Sequence, residues 1–532
     1  MLLAAVTALA LIAIANLANL TLADVMYRRT DFAVRAALGA SRRELAGSEI
    51  AEGLMLAAAG GVAGLTGAAW LVPALLALDQ SSASLTRHAP IDWRVALCAF
   101  GVATIVMLAA VAMPILRLAG PALASDLTAG SRRAIGGRAA ARIRIALVTA
   151  QTALALVLLS SGALIVNALQ QSVRADPGFD PSNVITAQLR LSARLFPDPV
   201  DRATFLDRVI ERLRETPGVV NAGTTLNPFT VNGSFVTLVH IEGRPTPNGQ
   251  GHTVQYRRIS PGYFDTMRIP ILTGRAFERR DWVGAPLVAI VSRGFARRFW
   301  PGEDPVGRRL KRGATATDWA TVVGVVEDVR DVALDQDPAD TVYTPYYQGS
   351  SPEAPVALVV RTAGNPRAMI DATKRAVWAV DAKQPLANVI TLEQFLAASL
   401  GPQRFRAILI AVCGAIGLLL ATIGTYGVTA RSVVERTREV GIRLALGGGA
   451  FDVWWTVAWG SLRAVIAGAV AGVIAAIAAG AGLAAVLPEV RGTAWLFAAL
   501  CACVLVIVGA AAALFAARRV TGIEPLRALR TD

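Results

Sequence analysis

The chain has 532 residues, of which 54% are hydrophobic and 17% charged, a composition outside the range of soluble globular domains. A net charge of +14 would raise nucleic acid as a partner of a soluble chain, but here its distribution follows topology, and no nucleic-acid role is expected. The four cysteines, Cys98, Cys413, Cys501 and Cys503, all lie in apolar runs, which excludes a disulfide framework or a paired-cysteine zinc motif.

Seven stretches lack any Asp, Glu, Lys or Arg: 2–23, 53–78, 95–116, 145–173, 407–430, 464–488 and 492–517. A helix rising 1.5 Å per residue needs about 20 apolar residues to cross roughly 30 Å of hydrocarbon, so seven transmembrane helices are expected. The segments 25–48, 117–144, 429–450 and 518–532 hold 19 basic residues, against only Arg87 and Arg491 in the alternate short loops. Basic loops stay cytoplasmic, which puts the N-terminus outside, the C-terminus inside and segment 174–402 outside. Within the spans, Gly60 with Gly64 and Gly468 with Gly472 have the small-xxx-small spacing of close helix packing. No acid sits at mid-depth, and the spans present no polar lining that would point to a cargo.

Between the fourth and fifth spans, residues 174–402 change character. Alternating strand patterns at 184–191 and 319–326 are interspersed with helical patterns at 201–216 and 366–380 and with Pro/Gly turns. A large α+β extracytoplasmic domain with two lobes is expected. Its arginine-rich patches, Arg257-Arg258, Arg279-Arg280, Arg297-Arg298 and Arg308–Arg312, are expected on solvated faces.

The basic segments contain a gap-free repeat at an offset of 408 residues. Arg28-Arg-Thr-Asp-Phe-Ala-Val-Arg-Ala-Ala-Leu-Gly39 aligns with Arg436-Thr-Arg-Glu-Val-Gly-Ile-Arg-Leu-Ala-Leu-Gly447. In each copy an acid (Asp31, Glu439) stands four residues before an arginine (Arg35, Arg443), the favourable order for an ion pair on a helix. Each copy ends in Leu-Gly (Leu38-Gly39, Leu446-Gly447), as a glycine-capped helix does. The duplication divides the chain into a three-helix unit at 1–116, a basic linker at 117–144, an additional transmembrane helix at 145–173, the outer domain at 174–402, a second three-helix unit at 404–517 and a tail at 518–532.

These repeated segments resemble the signature of FtsX/MacB-type ABC transporter permeases. The outer segment resembles the MacB-like periplasmic core domain through Asp176-Pro-Gly-Phe-Asp-Pro-Ser-Asn-Val184, Ser260-Pro-Gly-Tyr-Phe264 and Phe299-Trp-Pro-Gly-Glu-Asp-Pro-Val-Gly307. The nearest pattern is the duplicated, ADOP-like subgroup. Its plan has eight spans, and here the first copy lacks an opening helix and outer domain, so a truncated or misassigned start at Met1 is expected. The resemblance implies that 28–39 and 436–447 are coupling helices contacting a separate ABC ATPase, through Asp31, Arg35, Leu38, Gly39, Glu439, Arg443, Leu446 and Gly447, in a bacterial inner membrane. A homodimer or a heterodimer would each suit the duplicated unit.

The residues agree on the separate ATPase. A P-loop needs two glycines five positions apart followed by Lys and Ser/Thr, and none of Lys311, Lys374 and Lys383 follows such a pair. His88, His240 and His252 are too scattered for a zinc motif. We therefore expect a non-enzymatic permease without cofactors, serving export or extraction of a lipid, peptide or drug-like molecule. The alternative is a membrane-anchored regulator or scaffold whose outer domain controls a periplasmic partner in the cell envelope.

Overall fold

A computed structural model describes residues 2–27, 41–78, 92–118, 135–174, 176–191, 196, 198–226, 236–244, 251–313, 318–330, 338–348, 356–435, 450–484 and 492–518. The chain divides into two compact units, Met1–Gln170 with Pro402–Asp532, and Gln171–Gly401.

The first unit is helical: α1 (Leu2–Tyr27), α2 (Arg42–Leu78), α3 (Trp93–Leu118) and the first part of α4 (Ile135–Arg174) precede the second unit in the chain. Among the described residues, six helices are long and apolar enough to cross a membrane where seven were expected: Leu2–Thr21, Ile50–Ala74, Arg142–Arg174, Gly401–Val433, Ala458–Gly482 and Ala494–Ala517. The seventh expected span, 95–116, lies in α3, whose apolar stretch among the described residues is the shorter Trp93–Leu108.

The second unit is built on one 11-stranded sheet. In chain order its elements are β1 (Val184–Leu189), α5 (Pro199–Arg214), β2 (Val219–Leu226), β3 (Val236–Ile241), β4 (His252–Ile259), α6 (Tyr263–Met267), β5 (Ile271–Gly274), β6 (Val288–Ser292), α7 (Arg293–Phe299), β7 (Arg309–Arg312), β8 (Ala320–Val326), β9 (Thr341–Pro345), β10 (Val356–Thr362), α8 (Ile370–Val380), β11 (Leu386–Thr391) and α9 (Leu392–Ser399). The remaining membrane helices are α10 (Gly401–Glu435), α11 (Ala450–Ala484) and α12 (Ala494–Ala517).

The sheet has an open part and a closed part. Antiparallel strands β11-β1-β10-β2 form the open part. The closed part runs β4-β3-β7-β8-β6-β9 and returns to β4, because β9 pairs in parallel with β4 from Gln255↔Thr341 to Ile259↔Pro345. Closure leaves this ring of six strands without a free edge. The ring surrounds a core that includes Val239, Val254, Val291, Val322, Val342 and the aromatic group Phe295, Phe299 and Trp300. The expected two lobes are thus two parts of one sheet, joined at Thr225↔Ile259 and Leu226↔Arg258.

Strand β10 is buried throughout and shows how the open part is built. Val356, Leu358 and Val360 point into a core with α5 and α8, while Val359 joins a second core on the opposite face, as period-two alternation requires. Helix α5 starts where Asp198 accepts a hydrogen bond from the Val200 amide at 2.8 Å and Pro199 occupies the first turn. It buries Phe205, Leu206, Val209, Ile210 and Leu213, each contributing roughly 1.5–3 kcal/mol.

The last alternating position of β10 carries Arg361, which is 3% exposed. Its guanidinium donates to the Thr266 carbonyl at 2.6 Å, the Ser182 carbonyl at 2.9 Å and the Asp180 carbonyl at 2.7 Å, and pairs with the Asp180 carboxylate at 3.3 Å. One side chain therefore ties the 176–184 turn and the end of α6 to the central strand. Burial alone would raise the Asp180 carboxyl pKa, but hydrogen bonds from Ser182 and the charges of Arg361 and Arg268 outweigh it and hold the group below its ordinary value of 3.8. Arg257 and Arg258 are likewise buried, 3% and 5% exposed, and not on the solvated face expected for them. They sit on β4 between paired strands, where even outward-looking residues are covered.

Replacing Arg361 by Leu should destabilise this unit by about 2–3 kcal/mol, because the buried Thr266 carbonyl and two part-buried carbonyls lose their donor; thermal unfolding of the full chain in detergent checks it. Because Asp180 has a lowered pKa in the folded state, its stabilisation is present above pH 3.8 and is lost as the pH falls through the folded value. Asp180→Asn should accordingly flatten the acid limb of a plot of melting temperature against pH.

Candidate functional site

The repeated segments 28–39 and 436–447, with Asp31, Arg35, Leu38, Gly39, Glu439, Arg443, Leu446 and Gly447, lie outside the described residues. The helices that flank them are described. Helix α1 leads in from Leu2 to Tyr27, and α10 leads in from Gly401 to Glu435. On the far side of the first segment, the Ser41 amide donates to Glu44 Oε2 at 2.7 Å and the Glu44 amide to Ser41 Oγ at 3.3 Å. That reciprocal pair satisfies free amides at the start of α2.

The two incoming helices pack on one another at repeat-equivalent heights. The 408-residue offset carries Asn16 onto Gly424 and Ile12 onto Leu420. Asn16 Nδ2 donates to the Leu420 carbonyl at 3.3 Å. A Cβ added to Gly424 would lie 2.9 Å from Asn16 Oδ1 and would collide with the Gln151 amide of α4. Below and above this level, Cβ atoms at Gly417 and Gly427 would lie 3.6 Å from Ile12 Cδ1 and 3.5 Å from Leu20 Cδ2.

Helix α4 holds the group together. Against α10, a Cβ at Gly162 would lie 3.4 Å from the Ala411 Cα, and one at Gly414 would lie 3.2 Å from the Leu159 Cα. Against α11, Thr149 Oγ1 donates to the Ala464 carbonyl at 3.2 Å. A Cβ at Gly468 would lie 2.6 Å from the Thr149 carbonyl oxygen, and one at Gly472 would lie 3.0 Å from the Ala153 Cα. The approach at Gly468 leaves no room for a side chain, those at Gly414 and Gly472 are tight and that at Gly162 is ordinary contact, and in hydrocarbon such close approach supplies the attraction between helices. Gly60 and Gly64 behave differently: an added Cβ at either would meet nothing within 4 Å among the described residues, whereas one added at their neighbour Gly61 would collide with the Phe100 ring at 2.6 Å.

Several polar side chains on α1, α4 and α10 are buried, Asn16, Asn19, Gln151, Thr152 and Thr425 all being 5% exposed or less; Asn16 and Gln151 meet at Gly424, while Thr152 faces Gly468 of α11. Among the described residues, Asn16 Oδ1, both polar atoms of Asn19, both of Gln151 and Thr152 Oγ1 have no hydrogen-bond partner. Nearby, Thr429 Oγ1 donates to Ser461 Oγ at 2.8 Å, linking α10 to α11. Sequence reasoning found no polar lining because it searched for charges. The available signal was weaker: uncharged amides in two separate apolar runs, Asn16 and Asn19 in one and Gln151 in the other, with Asn16 repeat-equivalent to a glycine. A buried amide without a partner costs about 1–3 kcal/mol, so the joint is polar, neutral and incompletely satisfied.

In the second unit, the short turns that carry the family resemblance have structural duties. Ser260 Oγ accepts from the Thr224 amide at 2.8 Å. Gly262 starts α6 at φ +82°, where a side chain would also meet the Arg214 guanidinium at 2.5 Å. Glu303 pairs with Arg244 and Arg308, each at 2.8 Å. Tyr347 donates a hydrogen bond to Asp207 of α5, whose pKa is raised chiefly by burial.

Comparison with known proteins follows this division. Residues 3–122 match the FtsX-like permease C-terminal family, and residues 146–379 match the MacB-like periplasmic core domain. The macrolide export ATP-binding/permease protein MacB of Marinobacter nauticus is 26% identical over 261 residues, 45% of this chain and 39% of that protein. An uncharacterized ABC transporter permease of Bacillus subtilis, YknZ, is 27% identical over 197 residues, 36% of this chain and 48% of that protein. The chain thus spans less than half the length of either relative. The crystal structure of the periplasmic region of MacB from Actinobacillus actinomycetemcomitans aligns with 43% of this chain and 95% of that one, at 13% identity and a TM-score of 0.29. One multi-pass chain thus combines an FtsX-like membrane segment with a MacB-like periplasmic core domain, which is consistent with an ABC transporter permease of the FtsX/MacB type.

Proposed function

We propose that this chain is the permease subunit of an ABC exporter or extractor whose ATP hydrolysis is performed by a separate ATPase at the cytoplasmic face of the inner membrane. The supporting observation is the pair of repeated basic segments, each entered from a helix, α1 or α10, that meets its counterpart at Asn16 and Gly424. No P-loop occurs in these 532 residues. Asp31, Arg35, Leu38 and Gly39, and Glu439, Arg443, Leu446 and Gly447, form the ATPase contacts in this reading. Relatives are named for macrolide and for pyoverdine export, which favours an amphiphilic small molecule, lipid or peptide as cargo.

Force enters at the two coupling segments and displaces α1 relative to α10. Their contact is the joint with unpaired amides, so the resting arrangement is held less firmly there than in the rest of the helix packing. Helix α4 touches α10 and α11 between Thr149 and Gly162.

Charge reversal at both Arg35 and Arg443 should abolish co-purification of the ATPase, leaving the permease folded; retained co-purification with full ATPase stimulation would refute the coupling role. Gln151→Leu removes two unpaired polar atoms and should raise the melting temperature, while lowering ATP-dependent transport about tenfold by over-stabilising the resting joint. Thermal melts combined with vesicle transport assays separate these effects.

A further inference from the structure

Helix α11 carries Trp455, Trp459 and Arg463 at four-residue spacing, which places them on one face. The two indole rings stack at 5.4 Å with 27° between their planes, and the Arg463 guanidinium stands over the Trp459 ring at 5.3 Å. Trp455 and Arg463 are exposed, as are Ile466, Val470 and Ile474, which continue the same stripe along the helix. Other faces of α11 are taken: Ala458 packs with Ala513 and Ala517 of α12, Ser461 accepts from Thr429 of α10, and Gly468 and Gly472 lie against α4. The stripe therefore faces lipid, with an arginine near its head.

Arg463 lies five residues inside the apolar span Ala458–Gly482, about 7 Å from its start at 1.5 Å per residue. A guanidinium exposed at that depth must reach the headgroup level or meet an anion. Among the described residues no carboxylate pairs with it, and its neighbour is the Trp459 ring. Helix packing does not require this ladder. The 408-residue offset carries Gly47, Ala51 and Met55 of α2 onto Trp455, Trp459 and Arg463, and Met55 is exposed and uncharged. Arg518, directly after Ala517, adds positive charge at the same end of the bundle.

We infer that Trp455, Trp459 and Arg463 form a headgroup site for one anionic phospholipid, with its phosphate on Arg463 and an acyl chain along Ile466, Val470 and Ile474. A guanidinium forks onto phosphate through two parallel hydrogen bonds, and stacking on Trp459 holds it in place beforehand, so less side-chain freedom is lost on binding. A zwitterionic headgroup offers the same phosphate but brings its own ammonium, and repulsion between like charges favours the anionic lipid.

The test uses the full chain with Cys98, Cys413, Cys501 and Cys503 replaced by Ala and a bimane fluorophore on Val470→Cys or on Val62→Cys. Val62 is the repeat equivalent of Val470, and the two are 56% and 58% exposed. Each labelled chain is placed in phosphatidylcholine vesicles containing acyl-brominated phosphatidylglycerol or acyl-brominated phosphatidylcholine, which quench a fluorophore they touch. With Val470→Cys the glycerol lipid should bind about fivefold better than the choline lipid, and with Val62→Cys the two should be equal. Adding Arg463→Gln should bring the first ratio to about one at unchanged melting temperature, and Trp459→Ala should roughly halve it. Native mass spectrometry of the unmodified chain and of Arg463→Gln reads the same preference without cysteine replacement. Equal ratios at the two labelled positions, a ratio indifferent to Arg463→Gln, or loss of the preference on adding inorganic phosphate at constant ionic strength, which marks a free-anion site, would each overturn the inference.

Discussion

The membrane unit depends on how closely backbones approach along α4. In water, apolar side chains drive helices together, but in hydrocarbon the lipid is as apolar as leucine, so association rests on van der Waals contact and on hydrogen bonds between helices. Helix α4 supplies both: Gly162, Gly414, Gly468 and Gly472 mark its crossings with α10 and α11, and Thr149 adds a hydrogen bond to the Ala464 carbonyl. Around these crossings the core is made largely of alanine and leucine, including Ala155, Leu156, Ala421, Ala469 and Leu505. Small residues at the centre let larger ones at the edges meet.

The same closeness makes the amide joint significant. Asn16 and Gln151 converge on Gly424, where no side chain separates them from the α10 backbone, and their polar atoms are shielded without all being paired. Tight packing beside it contrasts with incomplete polar satisfaction within it. A bundle built this way concentrates its least favourable contacts at one level, between the helices that enter the two repeated segments.

The periplasmic domain uses a different device. Its open sheet and its closed ring share one continuous set of strand pairings, and charged side chains are buried where loops must be tied to strands. Arg361 reaches three carbonyls and a carboxylate, and so converts the Asp176–Val184 turn from a surface loop into part of the framework. The sequence patterns that carry the family resemblance thus mark corners and ties of the domain, which explains why they contain glycine, proline, serine and acidic residues instead of a catalytic group.

Membrane class, the repeat at an offset of 408 and the alternation of strands and helices in the outer domain were all legible in the sequence, because each is a local property of composition or period. Strand 184–191 and helix 201–216 appear as Val184–Leu189 and Pro199–Arg214, with their ends set by capping at Asp198 and by the turn before β2. Ring closure by β4 and β9, burial of Arg257 and Arg258, and convergence of Asn16, Gln151 and Gly424 were decided only in three dimensions. Periodicity states which face of an element is apolar or small and says nothing about what covers it. Gly60 and Gly64 carry the same local signal as Gly468 and Gly472; an adjacent α4 alone makes the second pair an interface.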